Sequence, residues 1–288
     1  MLATLLTVLF DGLAYGMLLF LISLGLSVTM GMMGFVNLAH GAFAMFGGYV
    51  ATTLMQQAGW PFLATLPVAF VLVGAGSVLV ERTLYRRLYD RSPLDQVLFT
   101  IGLTFMCIAA ITWLFGPSQQ PVALPDFLRG QTDVLGLKLG TYRLFLIVSG
   151  LLIAAAVMIG VERTRFGAQV RAAVDNPTMA TGLGINVSGV FAITFALGSG
   201  LAGLGGALGI QILGLTPVFP LKYLVLFLIV VSVGGLGSVG GALLAACVVG
   251  VIDMMGKYYL PEVGSFIIYA VMVGLLMWRP HGLLGKHS

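Results

Sequence analysis

The ionisable side chains of this sequence are concentrated in one short stretch whose composition suits binding better than catalysis. Residues 162 to 175 carry five charges in 14 positions, whereas only 8% of the 288 residues are charged. Catalysis would require a carboxylate pair, a Ser/His/Asp set or a Cys/His ligand cluster, and none is visible in the sequence. We therefore predict a protein that is not an enzyme, with no catalytic residue, no bound metal and no cofactor.

The sequence also lacks the residues that would let this chain hydrolyse ATP or use an ion gradient by itself. The nearest match to a phosphate-binding GxxxxGK[ST] loop runs from Gly250 to Lys257, but it is one residue too long and Tyr258 replaces the required Ser or Thr. Asp11 and Asp253 lie near the ends of apolar segments, and no other acid is better placed to act as an ion-coupling group within an apolar segment. Any ATP must therefore be hydrolysed by a partner.

The composition is that of a protein embedded in a lipid bilayer. Hydrophobic residues make up 59% of the chain, and the mean hydropathy is +1.07. Soluble proteins carry roughly 25% charged residues, about three times as many as this chain. Windows of about 20 apolar residues recur along the whole length, which is typical of membrane-spanning helices. We predict an all-α polytopic membrane protein with a single transmembrane domain over residues 1–288.

Charge and cysteine usage exclude two further classes. The formal net charge is only +4, and the basic residues lie in separate loops, so we do not expect nucleic-acid binding. Cys107 and Cys247 both lie within apolar runs. We interpret them as small buried hydrophobic residues and not as a disulfide or metal ligands.

Polar punctuation divides the chain into eight or nine apolar segments. Their approximate bounds are 12–31, 41–56, 62–80, 95–115, 143–161, 187–213, 222–236, 238–256 and 263–279. The segments at 41–56, 222–236 and 238–256 are short or interrupted by glycine, which predicts broken or re-entrant helices. Non-helical backbone is tolerated at membrane depth only where protein or a water-filled cavity satisfies it, so we expect these breaks to face the interior.

Basic residues predict the orientation, because they accumulate on the cytoplasmic side. Alternation of the segments groups nine Lys and Arg residues on one side: Arg82, Arg86, Arg87, Arg91, Arg163, Arg165, Arg171, Arg279 and Lys286. It leaves five on the other: Arg129, Lys138, Arg143, Lys222 and Lys257. This favours an N-terminus outside, a C-terminus in the cytoplasm, and a large external loop at 117–142.

The charged stretch belongs to the longest cytoplasmic connection, residues 162–186, which we predict to form two short helices. Its first part places the apolar residues Phe166, Val170, Ala173 and Val174 on one helical face. Arg171 and Asp175 are four positions apart, a spacing that permits an ion pair. The sequence alone leaves two interpretations open, a solvated loop whose arginines anchor the membrane surface and a docking surface for another protein.

The second part of this connection contains start and stop signals for a helix. Asn176 followed by Pro177 is typical of an N-cap with proline at the first helical position. Gly184 suits the left-handed residue after a helix end, with Ile185 available for the hydrophobic contact that accompanies it. We therefore expect a rigid pair of helices joined at Asn176.

Isolated polar residues within apolar segments are candidates for a translocation path. Asn37 and His40 are three positions apart, so they would share a face if the segment were helical. They either line the path or hydrogen-bond the loose backbone at a helix break. Gln211 and Ser238 are weaker path candidates, since the glycines around them at small-xxx-small spacing favour close helix packing.

Three long stretches resemble one protein family. They are TRFGAQVRAAVDNPTMATGLGINVSGVFAITFALGSGLAGLGGALG from Thr164, GFVNLAHGAFAMFGGY from Gly34 and VVSVGGLGSVGGALLAA from Val230. In this order they resemble the LivH-type permease subunit of branched-chain amino acid ABC importers, over nearly the entire chain. The resemblance implies a multi-pass protein of the bacterial inner membrane.

The resemblance also implies a role for residues 162–186. In that family this segment is the coupling helix, which sits in a groove of the ATPase subunit. The implied coupling residues are Arg165, Phe166, Gly167, Arg171, Ala172, Ala173, Asp175, Asn176 and Gly184. The Glu-Ala-Ala motif of many other importers is absent, because Arg171 replaces its glutamate and no Leu-Pro follows.

The implied function is passage of a substrate through half of a membrane channel. The expected partners are a second homologous permease, two cytoplasmic ATPases and a soluble binding protein that delivers a branched-chain amino acid. A mostly apolar path suits such a neutral solute, but urea, amides or another small organic solute would fit as well. The other possibilities are an ATP-independent facilitator and a structural subunit that supports no flux.

Overall fold

The structure is a computed structural model that describes residues 2–89, 91–122, 124–134, 136–279 and 282–284, apart from the side chains at positions 32, 33 and 265. Lys286, which counts toward the predicted orientation, lies outside the described residues. The helices are α1 (Leu2–Met33), α2 (His40–Gln57), α3 (Phe62–Thr83), α4 (Pro93–Phe115), α5 (Thr141–Arg163), α6 (Arg165–Asp175), α7 (Pro177–Gly182), α8 (Val187–Leu213), α9 (Phe219–Gly234), α10 (Val239–Tyr259) and α11 (Gly264–Trp278).

Within the described residues, six helices are long and apolar enough to cross a membrane, so the prediction of an all-α polytopic membrane protein is confirmed. They are α1, α3, α4, α5, α8 and α10. The three other apolar helices are shorter, with 18 residues in α2, 16 in α9 and 15 in α11. The count of eight or nine apolar segments, and which of them cross the membrane, therefore stay predictions.

The predicted breaks lie between helices and not within them. Segments 41–56, 222–236 and 238–256 each form one continuous helix over most of their length, so the expectation of broken helices is wrong, whereas the re-entrant alternative stays a prediction. The irregular backbone is at 34–39 and 235–238 instead. A helix tolerates single glycines at a cost of about 1 kcal/mol each, and packing supplies more than that.

Helices α1, α2 and α8 form the interior of the bundle, and glycine lets their backbones approach closely. Gly25 of α1 contacts Gly198 of α8, while Gly47 of α2 contacts Gly203. A Cβ atom at Gly25 or Gly47 would overlap the backbone of the facing helix. Without a hydrophobic driving force in lipid, such close packing is what holds helices together.

The remaining helices surround this interior. In α4 and α5 only 17% of the most apolar window is buried, against 61% in α1. Large apolar side chains such as Met106 and Trp113 of α4 are exposed. Lipid would solvate them at no cost, which explains how so apolar a surface is compatible with a stable chain.

A small hairpin caps one end of the bundle. Strand β1 (Gln131–Val134) pairs with β2 (Leu137–Gly140) in antiparallel register, and both belong to the predicted loop 117–142. Helix α5 runs from this hairpin end to α6. Contacts of Ile22 with Gly205 and of Gly25 with Gly198 make α1 antiparallel to α8, so the N-terminus lies at the hairpin end.

Candidate coupling and translocation sites

Helices α6 and α7 form a rigid bend, which we name the elbow (residues 165–182), and side chains cap both helices. The Thr164 hydroxyl accepts a hydrogen bond from the Gly167 amide at 3.1 Å. The Asn176 side chain accepts one from the Met179 amide at 2.9 Å, so the predicted N-cap is confirmed. Each cap satisfies a backbone donor that has no partner within its helix.

The predicted helix stop at the end of α7 is also confirmed. Gly184 adopts a left-handed φ of 82°, and the amides of Gly184 and Ile185 donate to the carbonyls of Thr181 and Ala180. This is the paired hydrogen-bond pattern of a glycine-terminated helix. The elbow thus has defined ends at every helix boundary.

The apolar face predicted for α6 anchors the elbow to the bundle. Val170 and Ala173 are buried against Val190 at the start of α8, and Phe166 and Val174 pack around them. The prediction of a single apolar face is therefore confirmed. The elbow is therefore packed against the start of α8, which continues from this contact into the bundle interior.

Arg171 holds α6 to the end of α5 and does not pair with Asp175. Its guanidinium donates to the Val161 carbonyl, and within the described residues no ion pair joins Arg171 to Asp175. The predicted pair is wrong because the last carbonyls of α5 have no helical partner and compete for the same donor. Gly167 contributes as well, since a Cβ there would overlap the Val161 carbonyl.

The opposite face of the elbow is exposed. It carries one large apolar side chain, Met179, and a second one, Leu183, lies just beyond the elbow. Arg165, Asp175 and Asn176 are polar; Arg165 and Asn176 are exposed, while Ala172 is partly buried. Met179 is 63% exposed and Leu183 is 78% exposed. The sequence prediction missed these two, although apolar residues four positions apart in a polar connection are the signal that could have identified them.

Asn37 and His40 do not share a helical face, because the helix that this expectation required begins only at His40. Asn37 lies in the irregular connection before α2, where its side-chain oxygen accepts from the Ala39 amide and the Tyr85 hydroxyl, both at 3.1 Å. His40 begins α2, and its Nε2 lies 2.9 Å from the Ile22 carbonyl oxygen. Both side chains are buried within the chain, at 0% and 1% exposed. This geometry favours bracing of the helix break.

Helix α4 supplies further braces that the sequence prediction missed. The Val36 amide donates to the Gln96 side-chain oxygen at 3.1 Å, and the Leu38 amide donates to the Thr100 hydroxyl at 3.2 Å. Amides outside a helix need such partners when they are buried. Only the fold brings residues 60 positions apart together, which is why spacing could not reveal them.

The other two path candidates are separate from this brace. Gln211 is exposed in the last turn of α8. The Ser238 hydroxyl accepts from the Gly241 amide at 3.0 Å and so caps α10. In the part of the chain that the structure describes, no side-chain hydrogen bond joins either residue to Asn37 or His40.

Three carboxylates with little exposure are each paired. Asp11 contacts Arg143 at 2.5 Å, and Asp253 contacts Lys257 at 2.6 Å. Glu81 is only 2% exposed and accepts from the Tyr89 hydroxyl at 2.8 Å. Glu81 lies in the last turn of α3, near the end of an apolar segment like the other two, so the expectation that no acid is better placed than Asp11 and Asp253 stays a prediction.

Tyr89 remains a hydrogen-bond donor to Glu81. Burial raises the pKa of the Tyr89 hydroxyl, and its hydrogen bond to the Glu81 carboxylate raises that pKa further. A raised pKa keeps the phenol protonated at neutral pH. The pair therefore acts as a fixed structural contact near the end of α3.

A bundle of long apolar helices with paired internal charges and a capped amphipathic elbow at one end defines a polytopic membrane protein. The family model described as "Branched-chain amino acid transport system / permease component" matches residues 8–276. This chain belongs to that family.

Similar proteins extend over almost the whole chain. The high-affinity branched-chain amino acid transport system permease protein BraD of Pseudomonas aeruginosa is 26% identical, over 96% of this chain and 94% of its own. The corresponding permease protein LivH of Escherichia coli K12 is 27% identical, with the same coverage of 96% and 94%. The permease protein LivM of the same organism is 23% identical, over 93% and 68%. No solved structure gives a significant match.

Proposed function

We propose that this chain is a permease subunit of an ATP-driven importer and forms half of the path for branched-chain amino acids across the bacterial inner membrane. The family match over residues 8–276 carries the proposal. The membrane-length helices and the absence of a phosphate-binding loop in the sequence agree with a subunit that moves a solute while another chain hydrolyses ATP.

We further propose that the elbow, together with Leu183 just after it, is the docking surface for a cytoplasmic ATPase. Val170 and Ala173 on its inner face pack against the bundle, whereas Arg165, Met179 and Leu183 are exposed on the outside. Exposed apolar residues beside a charge are typical of a protein interface. Of the coupling residues named above, Gly167 and Arg171 would act by fixing the elbow to α5.

A second permease is the partner that completes the path. Escherichia coli relatives named LivH and LivM both resemble this chain, and their names assign them to a branched-chain amino acid transport system. A binding protein would deliver the substrate at the hairpin end. This assignment places the hairpin end and the N-terminus outside and the elbow in the cytoplasm, and it leaves the exposed Gln211 as the better candidate for contact with substrate.

Introducing negative charge on the proposed docking surface tests this proposal. The tagged chain is extracted in mild detergent from its native membrane, as wild type and as the Arg165→Glu, Leu183→Glu and Lys138→Glu variants. We expect two ATPase chains and a second permease to accompany the wild type. The ATPases should be lost from the Arg165→Glu and Leu183→Glu variants and kept by Lys138→Glu, because Lys138 is exposed on the hairpin at the other end.

Uptake by the same variants separates the alternatives. ATP-dependent leucine uptake that disappears with Arg165→Glu and persists with Lys138→Glu supports an importer subunit. Uptake that survives loss of the ATPases would indicate a facilitator, and a complex with no flux at all would indicate a structural subunit. Uptake of urea or an amide in place of leucine would retain the importer and change its cargo.

A further inference from the structure

We infer that a cleft at the hairpin end is a substrate subsite that receives the aliphatic side chain of a neutral amino acid. The outer cleft, as we name it, has a volume of about 500 Å³ and is lined by Thr52, Met55, Gln56, Trp60, Pro121 and Val122. The inference rests on the proposed function, since it assumes that substrate arrives at this end of the bundle.

The size and lining of the outer cleft suit a small amphipathic solute. Binding pockets for small molecules are typically about 300–1,000 Å³, mostly apolar, with a few polar groups. Met55, Trp60 and Val122 provide apolar and aromatic surface, while no lining residue carries a charge. An aliphatic side chain would fit inside, and a charged side chain would lose its hydration without gaining a partner.

Thr52 is the more deeply buried of the two polar side chains that line the outer cleft. Thr52 is 3% exposed, and its hydroxyl has no hydrogen-bond partner among the described residues. Leaving a buried polar group unpaired typically costs about 1–3 kcal/mol. Because the Thr52 hydroxyl oxygen is itself buried, it lies behind the surface of the cleft, and a ligand would contact mainly the apolar lining.

Pro121 and Val122 form the wall of the cleft opposite α2, and three hydrogen bonds hold this wall in place. The Gln56 side chain donates to the Pro121 carbonyl at 2.6 Å, and the Gln120 amide donates to the Leu215 carbonyl at 2.9 Å. The Gln120 side chain donates to the Phe115 carbonyl at 3.2 Å. These contacts tie the wall to α2, α4 and the α8–α9 connection, so the cleft is preformed.

The rim of the outer cleft is open. Gln56 is exposed, and Trp60 is 45% exposed. The ammonium and carboxylate groups of a zwitterion can therefore remain hydrated at the rim while the side chain is inside. This arrangement would select for the aliphatic part of the substrate and not for its charged part.

Protection of an engineered thiol tests the inference in the assembled transporter. Val122→Cys and Lys138→Cys are each placed in a Cys107→Ala, Cys247→Ala background and labelled in nucleotide-free nanodiscs with a membrane-impermeant thiol reagent. We expect leucine to slow labelling of V122C several-fold, and glycine and aspartate to leave it unchanged. Labelling of K138C should be insensitive to all three, because Lys138 lies on the hairpin outside the cleft.

Two results would overturn the inference. One is labelling of V122C that leucine does not slow. The other is protection by the binding protein alone, with or without leucine, since the cleft would then be a protein contact. If leucine protects the thiol while wild-type transporter imports no branched-chain amino acid, the cleft stands as a binding site and the proposed function fails.

A filling variant checks the consequence for transport. Met55→Trp places bulk in the outer cleft, and Met106→Trp makes the same change on α4, where Met106 is 70% exposed. We expect leucine uptake to fall several-fold in M55W and to stay at the wild-type level in M106W, with both complexes retaining their ATPases. Equal uptake in the two variants would contradict a role for the cleft in transport.

Discussion

The interior of the bundle and the elbow achieve rigidity in opposite ways. In the interior, α1, α2 and α8 approach so closely that glycine backbones touch, as at Gly25 with Gly198 and Gly47 with Gly203. In the elbow, each short helix is closed by its own cap and held by a few side chains around Val170 and Ala173. A single substitution in the interior should therefore cause a large loss of stability, whereas a single substitution in the elbow should cause a small and local loss.

The largest expected effect is in the interior, at Gly206. A Cβ there would overlap the Ala44 carbonyl of α2, and backbone cannot give way as a side chain can. Overpacking typically costs about 1–3 kcal/mol, and we expect Gly206→Val to exceed that range. The measurement is the yield of monodisperse protein in detergent and its thermal midpoint.

Gly76 provides the matched control for this prediction. It lies exposed on α3, and a Cβ added there would meet no atom within 4 Å, so Gly76→Val should change the free energy of unfolding by no more than about 1 kcal/mol. A G206V protein as stable as G76V would show that the interior tolerates expansion. The contrast between interior and elbow would then disappear.

An intermediate effect is expected at the brace before α2. Asn37→Ala removes the partner of the Ala39 amide and of the Tyr85 hydroxyl, both buried, and should cost about 1–3 kcal/mol of unfolding free energy. Tyr85→Phe removes only one of these hydrogen bonds and should cost less. Thermal unfolding in detergent measures both.

Transport by the Asn37 variant distinguishes bracing from contact with substrate. We expect leucine uptake per folded complex to stay within a few-fold of wild type, because Asn37 is 0% exposed. Uptake lost at unchanged stability would instead assign Asn37 to the path. It would also show that the buried connection opens during transport.

The smallest effect is expected in the elbow. Asn176→Ala removes the cap of α7 and should cost about 0.5–2 kcal/mol, confined to the elbow. Hydrogen exchange should quicken over residues 177–183, while the thermal midpoint of the bundle stays constant. Asn176→Asp retains the capping oxygen and should leave exchange unchanged.

A spread of the Asn176→Ala effect into the bundle would contradict local closure of the elbow. Faster exchange along α8 would show that the cap is coupled to the interior through Val190. The elbow and the interior would then behave as one cooperative unit. Unaltered exchange everywhere would show that the cap adds nothing to the elbow.

The sequence by itself determined the features that depend on neighbouring residues. The apolar windows predicted membrane helices, and the elbow followed from Asn176, Pro177, Gly184 and the apolar face of α6. Caps and helical faces involve residues within a few positions of each other, so their spacing is visible in one dimension. The family resemblance carried the rest of the functional prediction.

Only the tertiary structure decided which distant groups meet. By its position in the sequence Arg171 could pair with Asp175 or with the end of α5, and the fold brings the Val161 carbonyl within hydrogen-bonding distance of it. The braces from Gln96 and the cleft wall at Pro121 likewise join segments far apart in sequence. Such contacts depend on how helices cross, and composition and periodicity do not encode that geometry.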